Sequence, residues 1–455
     1  MSTAIVWFRR DIRVTDHAAL ALATRTHDNV VGVFCFQSLF FTNAHSSAKR
    51  STYLLALLHE LQKSLHKLGI PLLFVEGNPQ TEIGKLCTTL SADSLYYTVD
   101  DAPFARKRDI SVTHTLEAQQ VTVIPVEDQL ILSPTKVLKS DNSPYKQFTA
   151  FKKAWLTQLD TVDLSEVHVT QHKTSVDSEL ISQSKELLDH YQKKYGNADL
   201  SASPFSPHED HAIERLQEFL ATQVDTYESN RDFPALQGTS QISAYLKFGV
   251  LSIRMVLRLL LQSSHAVSIA SLSAGKQIWL SELIWREFYH AVFYHFPYSA
   301  DAAFTRKYDA IVWENNPTYF QAWCEGKTGF PLVDAGMRQL VTTGYLHNRL
   351  RMIVASFLCK DLLIDWKWGE TFFATHLIDY DPASNVGGWQ WAAGTGTDAQ
   401  PYFRIFNPQA QQEKYDPECS FISRWVPEYN SDEYPAPIVD HSLQRSKALA
   451  MYSVR

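Results

Sequence analysis

The amino-acid sequence predicts an α/β N-terminal domain on a doubly wound, parallel five-stranded sheet, followed by a mostly α-helical domain. Three observations carry this. The first 130 residues alternate short β-rich runs with amphipathic helical stretches, the βαβ rhythm of parallel sheets with right-handed crossovers. Beyond residue 206, long segments keep apolar residues at helical spacing. A chain of 455 residues also exceeds one hydrophobic core, so two or three domains are expected.

Strands are predicted at AIVWF (4–8), VVGVFCF (30–36), PLLFV (71–75), SLYYTV (94–99) and VTVIPV (121–126). No GxGxxG follows the first run, so the pattern does not assign NAD to this domain (1–130). Residues 131–205 turn polar and close on SASPFSPHED, which reads as an interdomain connector with one or two short helices. In the remaining domain (206–455), helices are predicted at 212–224, 253–262, 275–295, 330–345 and 348–363.

Charged residues make up 20% and hydrophobic ones 45%, the balance of a soluble globular protein. No run approaches the ~20 apolar residues a membrane helix needs, and MSTAIVWFRRDIRV lacks the form of a secretory signal. A cytoplasmic monomer without membrane attachment is expected. The cysteines form no CxxC pair, so no disulfide framework or metal site is indicated. A net charge of −7 excludes nucleic-acid binding over the whole surface and leaves a basic groove on one face open.

Within 275–295, Trp279, Glu282, Trp285 and Arg286 fall on one helical stripe. Indoles alone would be core, but a carboxylate and a guanidinium among them need partners when buried. The stripe therefore points to a polar, aromatic-walled pocket. Asn348, Arg351 and Met352 share a face of the next candidate helix, either a capped helix with solvated arginines or an anion-pairing surface. Asp379 and Asp381 are candidate partners for that arginine.

GTSQIS (238–243) precedes a helical run, so Thr239 or Ser240 is a natural N-cap. The same hydroxyls at a helix N-terminus also suit a phosphate cradle. Residues 379–408 are rich in Gly and Pro and read as irregular backbone. Their aromatics Trp389, Trp391, Tyr402, Phe403 and Phe406 are too much apolar surface to leave in water, so this loop is expected to line a site.

Taken in order, VWFRRDIRVTDHAAL (6–20), YKQFTAFKKAWL (145–156), RDFPALQGTSQIS (231–243), WLSELIWREFYH (279–290), EGKTGFPLVDAGMRQL (325–340), HNRLRM (347–352), KDLLIDW (360–366) and the 379–408 segment carry a resemblance. Nearly end to end, the chain resembles the photolyases of the cryptochrome/photolyase superfamily, above all the class I cyclobutane pyrimidine dimer photolyases. That resemblance implies an antenna chromophore in the N-terminal domain and U-shaped FAD in the helical one. It implies that Tyr227 and the run Thr239, Ser240, Gln241, Ile242 and Ser243 bind the FAD phosphates. Trp279, Glu282, Arg286, Asn348, Arg351, Asp379, Tyr380 and Asp381 would surround the rest of the cofactor, and Asn385 would face flavin N5.

The implied reaction is light-driven repair, in which excited reduced flavin donates an electron to a flipped-out dimer. Trp285 and Trp391 would wall the dimer, Glu282 and Asn348 would hydrogen-bond it, and Met352 would pack beside it. Arg231, Arg349, Arg404 and Gln411 match positions that contact damaged DNA. Trp389, Trp366 and Trp313 align with the family's electron relay.

One departure concerns the antenna. Folate-antenna members carry an Asn-Glu pair before the ARKRD-like motif, where this chain has Phe104 and Ala105. The pattern is nearer to deazaflavin-type or other relatives, and His45 matches a folate contact only with poor spacing, so the second chromophore's type stays open. Two rivals share the fold: a cryptochrome photoreceptor and a 6-4 photolyase. The absence of a long tail after residue 430 speaks against the first, and Met352, where a histidine is expected, against the second.

Overall fold

The computed structural model describes residues 2–263 and 269–453. Strands β1 (Thr3–Phe8), β2 (Asn29–Phe36), β3 (Leu72–Glu76), β4 (Ser94–Thr98) and β5 (Thr122–Val126) form one parallel sheet in the order β3-β2-β1-β4-β5. Each lies on its predicted β-rich run. The central strands are buried on both faces, which explains why their sequences are continuous apolar runs rather than alternating ones. Strand β5 carries Pro125 and is half-exposed, as a proline that cannot donate to a ladder requires of an edge strand.

The expected helices follow as Glu209–Thr222, Ile253–Gln262, Ala274–His295, Pro331–Thr343 and Asn348–Lys360. The segment leaving β1 is the seam between sheet and helices. Arg13 pairs with Asp128 and donates to the Gly249 carbonyl at 3.0 Å. Buried Asp16 accepts from Ser252 Oγ at 2.7 Å and faces Arg254 and Arg258 at 3.4 Å each. Buried carboxylates are tolerated there because each has several donors.

Residues 131–205 hold two helices, Phe148–Leu159 and Ser178–Tyr195, and both are packed. From the first, Trp155 Nε1 donates to the buried Glu287 carboxylate of the Ala274–His295 helix at 2.6 Å. In the second, Ser184 Oγ accepts from Phe74 N at 2.7 Å, and Tyr191 stacks on Phe36 of β2 with centroids 4.0 Å apart.

The expectation of irregular backbone over 379–408 needs correction, because Pro382–Ala393 is a helix. Asp381 caps it by accepting from Ala383 N and Ser384 N at 3.1 and 3.2 Å, Pro382 occupies the first turn, and Gly394 ends it in the left-handed region. The caps outweigh the helix-breaking composition. Of the two internal glycines, Gly387 lets Tyr289 approach so closely that a Cβ would lie 2.2 Å from its ring, while a Cβ on Gly388 would meet nothing within 4 Å.

Candidate functional site

One wall of the site is the Ala274–His295 helix. Buried Trp279 packs on Phe219, with centroids 5.3 Å apart, and donates Nε1 to Ser240 Oγ at 3.3 Å. A turn later Glu282 Oε1 meets Arg231 Nη1 at 2.5 Å, with side chains 35% and 32% exposed. Burial still raises the Glu282 pKa, with Arg231 opposing. Trp285, another turn on, has one face covered by Phe148 at 3.7 Å and 9°. Arg286 Nη1 donates to the Gln129 carbonyl at 3.1 Å.

The N-cap expected of Thr239 or Ser240 is also corrected. The helix there spans only Ser243–Phe248, its N-cap is Ile242 without a side-chain bond, and Gln241 sits in the left-handed region at φ 51°. That turn carries Thr239 and Ser240 off the helix axis, leaving Ser240 to Trp279 and Gln241 Oε1 to Arg215 Nη1 at 2.5 Å. Ser243 Oγ donates to Asp379 Oδ2 at 2.6 Å, and Arg351 Nη2 reaches the same oxygen at 2.7 Å.

Of the two acids offered to Arg351, Asp379 therefore takes it, while Asp381 pairs with Arg10 and lies 3.5 Å from His290 Nε2. Asp379 Oδ1 is buried and has no hydrogen-bond partner among the described residues. Leaving such an acceptor unpaired costs roughly 1–3 kcal/mol, so its lone pairs are available to a donor brought by a ligand.

On the Pro382–Ala393 helix, Asn385, Gly388 and Trp391 share one face. Asn385 Nδ2 donates to the Glu370 carbonyl at 3.2 Å and to its Oε1 at 3.0 Å, which orients the amide and leaves Oδ1 as the presented acceptor. Tyr380 OH donates to the same Glu370 at 3.2 Å. Away from that face, Trp389 is 2% exposed, edge-on to Phe373 at 4.9 Å and Trp323 at 6.1 Å. Gly369 admits it: a Cβ there would strike the indole at 2.0 Å. Trp366 is buried, and Trp313 is half-buried and edge-on to Tyr452 at 6.0 Å.

The rim is polar. Asn348 is exposed at the start of its helix, where His347 Nδ1 accepts from Arg349 N at 3.2 Å. Met352 is half-buried one turn later. Arg349 pairs with Asp232 at 2.6 Å and lies 4.4 Å over Tyr415. Arg404 is exposed and Gln411 half-buried. Tyr227 is buried beneath Arg231, 5.7 Å from its guanidinium. Sequence reasoning missed Arg10, Phe148, His290 and Glu370. Arg10, Phe148 and His290 lie inside resemblance segments, but only their packing shows them at the site.

The parallel sheet is thus followed by a helical region that holds the Arg351–Asp379 pair, the Asp381 that meets Arg10, and the indoles of Trp279 and Trp285. The FAD binding domain of DNA photolyase matches residues 279–432, and the DNA photolyase family matches residues 4–172. A deoxyribodipyrimidine photo-lyase of Escherichia coli is 40% identical over 478 residues, spanning 99% of this chain and 98% of the relative. Among solved structures, a class III photolyase from Agrobacterium tumefaciens has a TM-score of 0.87 at 33% identity, over 100% of this chain and 97% of that one. An archaeal photolyase from Sulfolobus tokodaii, solved with two FAD molecules, has a TM-score of 0.83 at 31% identity over 99% of both chains. The chain belongs to the DNA photolyase family.

The residues fit FAD: Asp379 Oδ1 is an orphaned acceptor, Asn385 presents an amide oxygen, and a Cβ on Gly388 would meet nothing within 4 Å. Among the described residues no cluster suits a metal ion, and no helix is long and apolar enough to cross a membrane.

Proposed function

We propose that the protein splits cyclobutane pyrimidine dimers in DNA by light, as a deoxyribodipyrimidine photo-lyase. The observation that carries this reading is the half-exposed Glu282 carboxyl, paired with Arg231 and one turn from Trp285, on the same helix as the FAD-side residues Trp279 and Arg286. Fully reduced FAD, when bound and excited, supplies the electron that opens the cyclobutane ring and takes it back.

The chain's own residues bind, orient and exclude water. Tyr227 and Thr239, Ser240, Gln241, Ile242 and Ser243 hold the phosphate side. Trp279, Arg286, Arg351, Asp379, Tyr380 and Asp381 hold the remainder. Asn385 Oδ1, fixed by Glu370, is the acceptor an N–H group at a reduced flavin's N5 requires. Trp285, backed by Phe148, and Trp391 wall the flipped-out dimer. Glu282 and Asn348 hydrogen-bond it, and Met352 packs against it. Arg231, Arg349, Arg404 and Gln411 hold the strand electrostatically, without sequence preference. Trp389, Trp366 and Trp313 form the relay, a reading supported by two buried indoles and a third that reaches solvent.

In this reading residues 1–130 house a second chromophore of folate or deazaflavin type. The exposed Leu39, Phe40 and Phe104 offer apolar surface near the carboxyl edge of the sheet, where open α/β sheets bind ligands. Residues 131–205 connect, residues 206–455 hold FAD and DNA, and the protein acts as a monomer in the cytoplasm.

The test is binding of oligonucleotides that carry a thymine dimer, a 6-4 photoproduct or no lesion, followed by fluorescence anisotropy at several salt concentrations. The dimer strand should bind most tightly. Equal affinity for all three sinks the reading.

A further inference from the structure

We propose that Arg10, on the segment leaving β1, is a positioning residue of the cofactor site, bracing two of the segments that hold FAD against each other. The inference rests on the FAD reading above.

Arg10 Nε donates to the Lys247 carbonyl at 3.2 Å, in the last turn of the Ser243–Phe248 helix. Its Nη2 pairs with Asp381, the N-cap of the helix that carries Asn385, Gly388 and Trp391. The direct tie between these segments is Ser243 to Asp379, at the first turn of the short helix. One tie leaves a hinge; a second at the opposite end of that helix fixes its separation and its angle.

The brace itself cannot drift. Gly249, at φ +65°, brings its backbone so close that a Cβ would lie 2.1 Å from the Arg10 carbonyl oxygen. Ile12 N donates to the Phe248 carbonyl at 3.0 Å. The Gln129 amide, with its nitrogen on the Val99 carbonyl, turns its oxygen to Arg10 Nη1 and Nη2 at 3.2 and 3.3 Å. The Gln129 backbone carbonyl takes Arg286, so the residue that meets Arg10 also meets the helix that carries Trp279 and Glu282.

The Arg10 side chain is 17% exposed and that of Asp381 is 9% exposed. Around the Asp381 carboxylate stand Arg10, His290 and Arg286, with Lys247 and Asp100 beyond them. Burial opposes its ionisation, but Arg10, His290 and Arg286 outweigh burial and hold its pKa well below the usual carboxylate range. Removing Arg10 therefore removes a geometric tie and uncovers a buried charge at once.

The experiment follows FAD release from the loaded protein by recovery of flavin fluorescence after dilution, and unfolding of the apoproteins by circular dichroism. Arg10→Met should release FAD about 10- to 100-fold faster than wild type, the loss expected of one charge-assisted hydrogen bond. Its release should accelerate on acidification, because the Asp381–His290 pair takes up protons that Arg10 excluded, whereas wild-type release stays flat over the same range. Arg10→Lys should fall between, since one ammonium cannot span the Lys247 carbonyl and Asp381 together.

Arg258→Met breaks ties to Asp16 and the Leu164 carbonyl across the same seam without touching a cofactor wall. It should lower the unfolding midpoint and leave FAD release unchanged. Wild-type retention and a flat pH profile in Arg10→Met, or release from Arg258→Met as fast as from Arg10→Met, would overturn the brace. Should Arg10→Met not fold, the Arg10→Lys release rate decides in the same way. A wild-type protein that takes up no FAD at all would instead sink the FAD reading itself.

Discussion

Gly387 and Gly388 are neighbours in one helix with opposite surroundings, so alanine at each separates helix propensity from space. In a helix interior, Gly→Ala contributes about 1 kcal/mol of stability. At Gly388 nothing lies within 4 Å of the new methyl, so the gain is kept, and apo Gly388→Ala should be ~0.5–1 kcal/mol more stable than wild type. At Gly387 the methyl would sit 2.2 and 2.5 Å from the Tyr289 ring, which Trp285 and Phe288 hold in place. Overpacking costs roughly 1–3 kcal/mol, enough to exceed the propensity gain, so Gly387→Ala should be net destabilising.

In the FAD reading the order reverses for Gly388, because a methyl on the face shared with Asn385 and Trp391 would meet the proposed cofactor. FAD affinity should fall about tenfold or more, the same overpacking cost transferred to binding. Apoprotein unfolding by circular dichroism and FAD titration by flavin fluorescence read the two effects separately. A destabilised Gly388→Ala apoprotein would mean that the face is not open. Unchanged FAD affinity would mean that the Asn385, Gly388 and Trp391 face does not line the cofactor cavity.

Trp389→Phe should slow photoreduction of oxidised FAD while sparing repair by protein reduced beforehand; unchanged photoreduction kinetics would remove Trp389 from the relay. Asp379→Asn should weaken FAD binding by about 10- to 100-fold, since it takes a charge from the Arg351 and Ser243 pairings, as read by equilibrium titration. Arg404→Ala, exposed and off the folding core, should cut the log–log salt slope of DNA binding by about 1 and leave the unfolding midpoint in place.

Burial lowers the pKa of Lys360 to about 7. Between that value and the unfolded lysine pKa near ~10.4 the unfolded chain binds the extra proton, so this group makes stability rise with pH, by up to about 1.4 kcal/mol per unit. Lys360→Met should flatten that rise in unfolding midpoints; an unchanged slope would assign it elsewhere.

All five strands were legible as β-rich runs, continuous and apolar where both faces are buried, whereas the half-exposed edge position of β5 with its Pro125 came only from the structure. The Trp279, Glu282, Trp285 and Arg286 stripe was legible from helical spacing alone. The Pro382–Ala393 helix was not, because its Gly and Pro content masks the capping: Asp381, Pro382 and Gly394 mark its ends, and the paired glycines serve a close approach and an open face. The 238–243 turn departs from a plain helix N-terminus because Gln241 is left-handed, a conformation that residue type alone does not announce. Arg10, Phe148, His290 and Glu370 act through partners ten to hundreds of residues away, which no local pattern encodes.

The most direct test of the account is light-driven restoration of a thymine-dimer oligonucleotide by the FAD-loaded, fully reduced protein, followed as recovery of thymine absorbance. Blue or near-ultraviolet light should restore the thymines, and the same mixture in darkness should not. A protein that holds reduced FAD and binds the lesion yet leaves the dimer intact under light would contradict it.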